Sequence, residues 1–288
     1  CSTGGAMPVP QSRLSPLDIG SLIEETIALY RDNWKVFLTI CTIVLVPTGV
    51  LQLGLTLMLD RSVEAEDVGQ LFAAALGALL LAFVTGIGLL ILTAAMIHAT
   101  SAAWHSDSIG VNEAFDRGFS RLGWLFLITA LGAIALGAIA ITIVGLPVAL
   151  YLGVSWTFAA PALLLESAGV AQALGRSREL VKGRWWRVFG ILVLIAIVQS
   201  MISAIFTFPG TILGAGTIMT GGSADAIPAD ARVVSQIGST IGQMFSYPIA
   251  ACAYILLYYD LRIRHDGSDR RHMEETSAQP IVRVDRSF

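Results

Sequence analysis

Several runs of about 20 residues or more in this chain contain no Asp, Glu, Lys or Arg. Coiled as helices at about 1.5 Å per residue, such runs match the roughly 30 Å hydrocarbon core of a bilayer. In lipid every backbone N–H and C=O needs a protein partner, and a helix supplies them within one segment. The expected fold is therefore all-α: a polytopic membrane helical bundle. Charged residues make up 14% of the chain, against about 25% in a soluble domain, so the shortage of charge is global as well as local. The formal charge of −3 gives no case for nucleic acid as a partner.

Six spans are expected, at about 34–59, 71–104, 122–144, 146–165, 188–208 and 234–259. Only Gly145 separates the third from the fourth, which predicts a tight hairpin. The apolar stretch 211–219 is too short to cross; it reads as a re-entrant piece, an interfacial piece or an extension of the fifth span beyond Pro209. Residues 1–14 are expected to be a flexible N-terminus, 15–265 one membrane domain, and 266–288 a disordered cytoplasmic tail. Cys1 stands where an initiator Met is usual. A processed lipoprotein cysteine is one reading; a fragment or shifted start, with Met7 as the true start, fits the charge pattern better. No cleavable signal peptide is visible in the first 33 residues.

Basic residues assign an orientation. Counted segment by segment, alternate segments hold sixteen Lys and Arg and the others hold two, Arg61 and Arg232. Positive charge is retained on the cytoplasmic side, so both termini are expected inside, in the cell membrane. An odd number of spans would break this alternation.

A weak internal repeat accompanies the spans. Residues 18–37, 110–126 and 169–189 each read as an amphipathic helix, then an aromatic-basic belt, then a span. In the first, Ile19, Leu22, Ile23, Thr26, Ile27 and Tyr30 share a face after a Ser15-Pro16 start signal. In the third, Val170, Ala173, Leu174, Ser177 and Val181 do so. The belts are Trp34-Lys35-Val36-Phe37, Trp124-Leu125-Phe126 and Trp186-Arg187-Val188-Phe189, residues suited to headgroup depth and anionic inner-leaflet lipid. The expectation is three units, each a cytoplasmic interfacial helix followed by a transmembrane hairpin.

The chemistry is sparse. No Asp, Glu, Lys or Arg lies deep in a span, which lowers the odds of ion-coupled transport. There is no P-loop, HExxH or GxSxG, so no enzyme activity, cofactor or catalytic residue is expected. His98, His105, His265 and His272 are scattered, and Cys41 and Cys252 read as small hydrophobes; no metal site is expected. Gln236, Ser239, Thr240, Gln243 and Tyr247 recur on one face of the sixth span, beside a GxxxG at Gly238 and Gly242. That face is either a substrate path or a helix-packing surface, and packing is the commoner case. Glu166, Arg176, Arg178, Lys182, Arg184 and Trp186, with Asp260 and Arg262, form the richest polar set. They are candidates for contacts to lipid headgroups or a partner, or for a topogenic cluster with local ion pairs. Asp260 is expected to pair with a base of the 176–187 cluster, Arg178 or Arg184 being the bases proposed for a charge-reversal test.

The segment "GVAQALGRSRELVKGRWWRVFGILVL" (169–194), preceded by Pro161 and Glu166, resembles the membrane domain found fused to some bacterial glycerophosphoryl diester phosphodiesterases. "LLYYDLRIRHDGSD" (256–269) is similar to the end of that family, and "LDIGSLIEETIALYRDNWKVFL" (17–38) to its start. The resemblance implies a multi-pass membrane domain. It does not imply the diesterase activity, since no His/Glu/Asp catalytic set for a metal-dependent diesterase is present. The expected role is a non-enzymatic membrane scaffold or envelope- and lipid-associated module, with anionic lipids and a membrane or cytoplasmic protein as partners. The alternatives are a transporter or channel for a small or lipid-like solute, and a membrane subunit serving a separate glycerophosphodiester phosphodiesterase.

Overall fold

The computed structural model describes residues 18–60, 68–105, 110–142, 144–166, 169–219 and 228–278. The expectations for residues 1–14, for Cys1 and Met7, for the Ser15-Pro16 start signal, for the loop at Arg61 and for the tail beyond 278 lie outside the described residues. Among the described residues there are nine helices and no strand: α1 (Ile19–Asp60), α2 (Val68–Trp104), α3 (Val111–Phe119), α4 (Leu122–Ala140), α5 (Gly145–Trp156), α6 (Ala159–Leu165), α7 (Val170–Val181), α8 (Trp185–Met219) and α9 (Ala229–Ala278). Six stretches are long and apolar enough to cross a membrane: Ile19–Leu57, Ala75–Trp104, Leu122–Ala140, Gly145–Leu165, Trp185–Ala215 and Ala229–His265. The chain is a multi-pass membrane protein. Its outer surface is apolar, with Phe72, Ile134, Met201 and Ile205 all well exposed, as a surface bathed in lipid requires.

The fourth span is not the single helix expected. It breaks at Thr157-Phe158 into α5 and α6. Pro161 has no N–H to return to the carbonyl of Thr157, one turn earlier, which leaves that carbonyl without its helical donor. The hydroxyl of Tyr254 on α9 donates to it instead. The Phe158 N–H donates to Ser177 Oγ at 3.0 Å, and Ser177 Oγ donates to the Ser155 carbonyl at 2.8 Å. The groups released by the break are thus taken up by side chains from α7 and α9, as buried backbone demands.

Three other boundaries differ from those expected. The turn between α4 and α5 takes in residues 141, 142 and 144 rather than Gly145. Gly145 starts α5, its N–H bonded to Thr142 Oγ1 at 3.0 Å, and a Cβ there would strike the Ile139 carbonyl. The stretch 211–219 is the extension of the fifth span: α8 runs through Pro209 to Met219. Likewise α9 continues past residue 265 to Ala278, about 75 Å of helix at 1.5 Å per residue.

The three units are visible in the backbone. Each amphipathic helix ends in a break before its span. Within α1 the break is Asn33, at φ −120, ψ 16; its side chain turns back to donate to the Leu29 carbonyl at 3.2 Å, a local bond that competes with the helix. Arg121, between α3 and α4, has nearly the same conformation, φ −122, ψ 11. Between α7 and α8 the break is Lys182-Gly183-Arg184, with Gly183 at φ 80, a left-handed conformation that glycine adopts without strain. Seven residues before Asn33, Arg121 and Arg184 stand Thr26, Ala114 and Ser177. Four residues after them stand Phe37, Leu125 and Val188, and seven after stand Ile40, Ile128 and Ile191. All nine are buried. This register differs from the one drawn on Trp34, Trp124 and Trp186. Those indoles are exposed by 48%, 56% and 78%, on the outside of the bundle, and the structural equivalents of Trp34 are Leu122 and Trp185.

Within each unit the two spans pack on each other, α1 on α2, α4 on α5 and α8 on α9. The last helix also packs on α1 and α2, so the first and third units meet.

Candidate functional site

The charged candidates gather at the end of the bundle that carries α3 and α7. Glu166 follows α6 directly. Tyr258 on α9 donates its hydroxyl to Glu166 Oε1 at 2.6 Å. Arg176 on α7 approaches Oε2 at 3.4 Å, and Arg262 on α9 approaches Oε1 at 3.7 Å. One carboxylate therefore joins three helices drawn from two units.

Asp260, between Tyr258 and Arg262 on α9, forms a second node and has no solvent exposure. Arg264, four residues on, donates Nε to both carboxylate oxygens at 2.9 and 3.0 Å. Arg187 on α8 brings a guanidinium nitrogen to 3.2 Å of Oδ2. The partner in the 176–187 cluster is thus Arg187, not Arg178 or Arg184. Its place three residues into α8 points it at α9, whereas Arg178 is exposed on the outer side of α7. An isolated carboxylate without water is costly; two guanidinium groups offset that cost here.

The eight charged and aromatic candidates consequently separate. Glu166, Arg176, Asp260 and Arg262 are engaged in the two nodes. Arg178, Lys182 and Trp186 are exposed, with Arg184 half-buried among them. Tyr258, Arg187 and Arg264 were not among the sequence candidates. The Asp260/Arg264 spacing of four was a visible signal; Arg187 had no signal beyond its membership in the cluster. The two tyrosines that precede Asp260 lie inside the bundle. Tyr258 is fully buried, and the Tyr259 hydroxyl pairs with Ser101 Oγ at 2.7 Å, with its ring stacked on Trp104 at 6.5 Å.

The polar face of α9 is spent mostly on neighbouring helices. Gln236 Nε2 donates to Gln52 Oε1 at 3.1 Å, and Gln52 Nε2 donates to Thr85 Oγ1 at 2.7 Å. One chain of side-chain bonds thus links α9, α1 and α2. The Tyr247 and Thr93 hydroxyls pair at 2.8 Å, and those of Ser203 and Ser246 at 3.4 Å. Ser239 and Thr240 donate to the Gln236 carbonyl. The GxxxG is a packing surface: a Cβ on Gly238 would meet the Phe206 carbonyl, and one on Gly242 would lie 2.9 Å from Ser203 Cα. The face does not line one cavity. Gln236 borders a cavity of about 610 Å³, Gln243 one of about 150 Å³, and Tyr247 one of about 260 Å³. Among the described residues no three His, Cys, Asp or Glu side chains group as metal ligands.

Residues 125–284 match the family described as the membrane domain of glycerophosphoryl diester phosphodiesterase. The match covers more than half of the chain and takes in the second unit from Leu125 onward, without α3, and the third unit, with both carboxylate nodes. The resemblance noted at 17–38 lies outside it. No curated protein and no solved structure matches the chain.

Proposed function

From the premise that the chain belongs to the family of membrane domains of glycerophosphoryl diester phosphodiesterases, we propose that it acts as a non-enzymatic module of the cell membrane. It gathers anionic lipid headgroups, or an acidic partner, at the inner leaflet. Both termini are cytoplasmic in this reading, which rests on the sixteen-to-two distribution of Lys and Arg. The observation that carries it is a division of labour among the charges. Asp260, buried, and Glu166, partly buried, are engaged by Arg176, Arg187, Arg262 and Arg264, while Arg178, Lys182 and Trp186 stand exposed on the same rim. A rigid end bearing outward bases beside an indole suits the headgroup region. The family match concerns the membrane domain and supplies no catalytic residues to weigh against this reading.

The test is the thermal stability of the purified full chain in mild detergent with added phosphatidylglycerol or phosphatidylcholine. A ligand that binds only the folded state raises the melting temperature. Phosphatidylglycerol is expected to stabilise the wild type more than phosphatidylcholine does, and R178Q/K182Q/R184Q to abolish the difference. An unchanged difference in that variant would overturn the reading.

A second reading, a path for a small or lipid-like solute, draws on the file of cavities along α9. Gln236 and Gln52, which border two different cavities of that file, are bonded to each other, which favours the first reading.

A further inference from the structure

The cavity of about 610 Å³ lies between α1, α8 and α9, at the end of the bundle away from the carboxylate nodes. It is of the size that takes small molecules and cofactors. Leu53 and Leu57 line it from α1, Thr207 and Thr211 from α8, and Arg232 and Gln236 from α9. Its position is set by the element ends. Leu57 is three residues from the end of α1, and Arg232 three residues from the start of α9. The cavity therefore sits where the spans leave the hydrocarbon, with apolar walls on one side and a guanidinium on the other.

The polar lining has a definite sense. Arg232 is the ionisable group among the lining residues, and guanidinium is the side chain best shaped for a phosphate. Four of the five lining hydroxyls, all but that of Ser235, have their protons committed to their own helices. Thr56 donates to the Gln52 carbonyl at 2.9 Å, Thr207 to Ser203 at 3.2 Å, Thr211 to Phe208 at 2.7 Å and Ser239 to Gln236 at 3.2 Å. What each of these four oxygens has left to offer a ligand is an acceptor. A ligand complementary to the cavity carries a phosphate for Arg232, hydroxyl donors for the Thr and Ser oxygens, and hydrocarbon for Leu53 and Leu57. We infer that this cavity binds a glycerophospholipid with a hydroxyl-bearing, anionic headgroup, of the phosphatidylglycerol kind. The site is separate from the basic rim proposed above and does not depend on which end of the bundle is cytoplasmic.

The experiment is native mass spectrometry of the full chain in mild detergent after incubation with dioleoylphosphatidylglycerol, dioleoylphosphatidylcholine or dioleoylglycerol. The variants are R232Q, R232K and A215W. Ala215 is an exposed lining residue, so a tryptophan there fills the cavity from its open side without invading the core, and A215W keeps the test valid if R232Q fails to fold. Retention of phosphatidylglycerol is expected to exceed that of the other two lipids by about tenfold, and to fall about tenfold in R232Q and A215W but not in R232K. Equal retention of phosphatidylcholine or of dioleoylglycerol would overturn the inference. So would retention that survives R232Q and A215W but is lost in R178Q/K182Q/R184Q, since the lipid would then belong to the basic rim. Displacement of the lipid by equimolar glycerol 3-phosphate would overturn it as well, identifying a soluble phosphate as the occupant.

Discussion

Asp260 and Arg187 meet at 3.2 Å across α9 and α8, at a point where the carboxylate has no solvent exposure. With Arg264 held on the same oxygens, the pair fastens the end of the last span to the start of the one before it. Removing the carboxylate takes from two partly buried guanidinium groups the buried anion they share. Asp260→Asn is expected to cost roughly 3–5 kcal/mol, the usual penalty for breaking a buried ion pair, read as a lower melting temperature in detergent. Asp260→Arg should be worse. Adding Arg187→Asp should recover part of that loss, and adding Arg178→Asp should recover none. Equal recovery by both would deny the pairing.

Ser177 holds the break in the fourth span. Ser177→Ala deprives the Phe158 N–H and the Ser155 carbonyl of their partner inside the protein, an expected loss of about 1–3 kcal/mol. Ser120→Ala, which removes a hydroxyl from an exposed residue, should change the melting temperature little. Comparable losses in the two variants would show that the α5–α6 break does not depend on Ser177.

The crossing of α8 over α9 depends on missing side chains. Gly238→Ala pushes a methyl group into the Phe206 carbonyl, and such overpacking typically costs about 1–3 kcal/mol. Gly132→Ala has open space around it and should be near neutral or mildly stabilising, because alanine is the better helix former. A neutral Gly238→Ala would mean that the two helices are not in close contact there.

Orientation is open to direct labelling. In a background lacking Cys1, Cys41 and Cys252, a cysteine at Ser62 should react with an impermeant maleimide on intact cells, and a cysteine at Lys182 only after permeabilisation. The reverse pattern would invert the topology.

Much of this architecture was legible from residue pattern. Hydropathy located the six spans, because lipid leaves no alternative to long apolar helices. The amphipathic segments were legible from period and from the belts that follow them. What escaped was three-dimensional. Pro161 was in view, but its effect on Thr157 becomes a break only because Tyr254, nearly a hundred residues later, stands ready to bond the freed carbonyl. Aligning the belts on their tryptophans puts the repeat one or two residues out of register, because the equivalent inner positions hold Phe37, Leu125 and Val188, which look alike only in being apolar. The candidate charges were found as a set, yet their division into buried nodes and an exposed rim depends on which way each helix faces. Arg176 and Arg178, two residues apart, fall on opposite sides of that division.

Biosynthesis gives the contacts of α9 a further meaning. Gln52, Thr93 and Ser101 belong to the first unit, and their partners Gln236, Tyr247 and Tyr259 follow them by 184, 154 and 158 residues. A ribosome delivers the first hairpin to the bilayer long before those partners exist. Until the final span is inserted, polar side chains of α1 and α2 must be satisfied by lipid headgroups, by water, or by an insertion factor that shields them. Loss of the last span would therefore leave an early half that is apolar enough to enter the membrane but has no means of completing its interior, a natural substrate for membrane quality control.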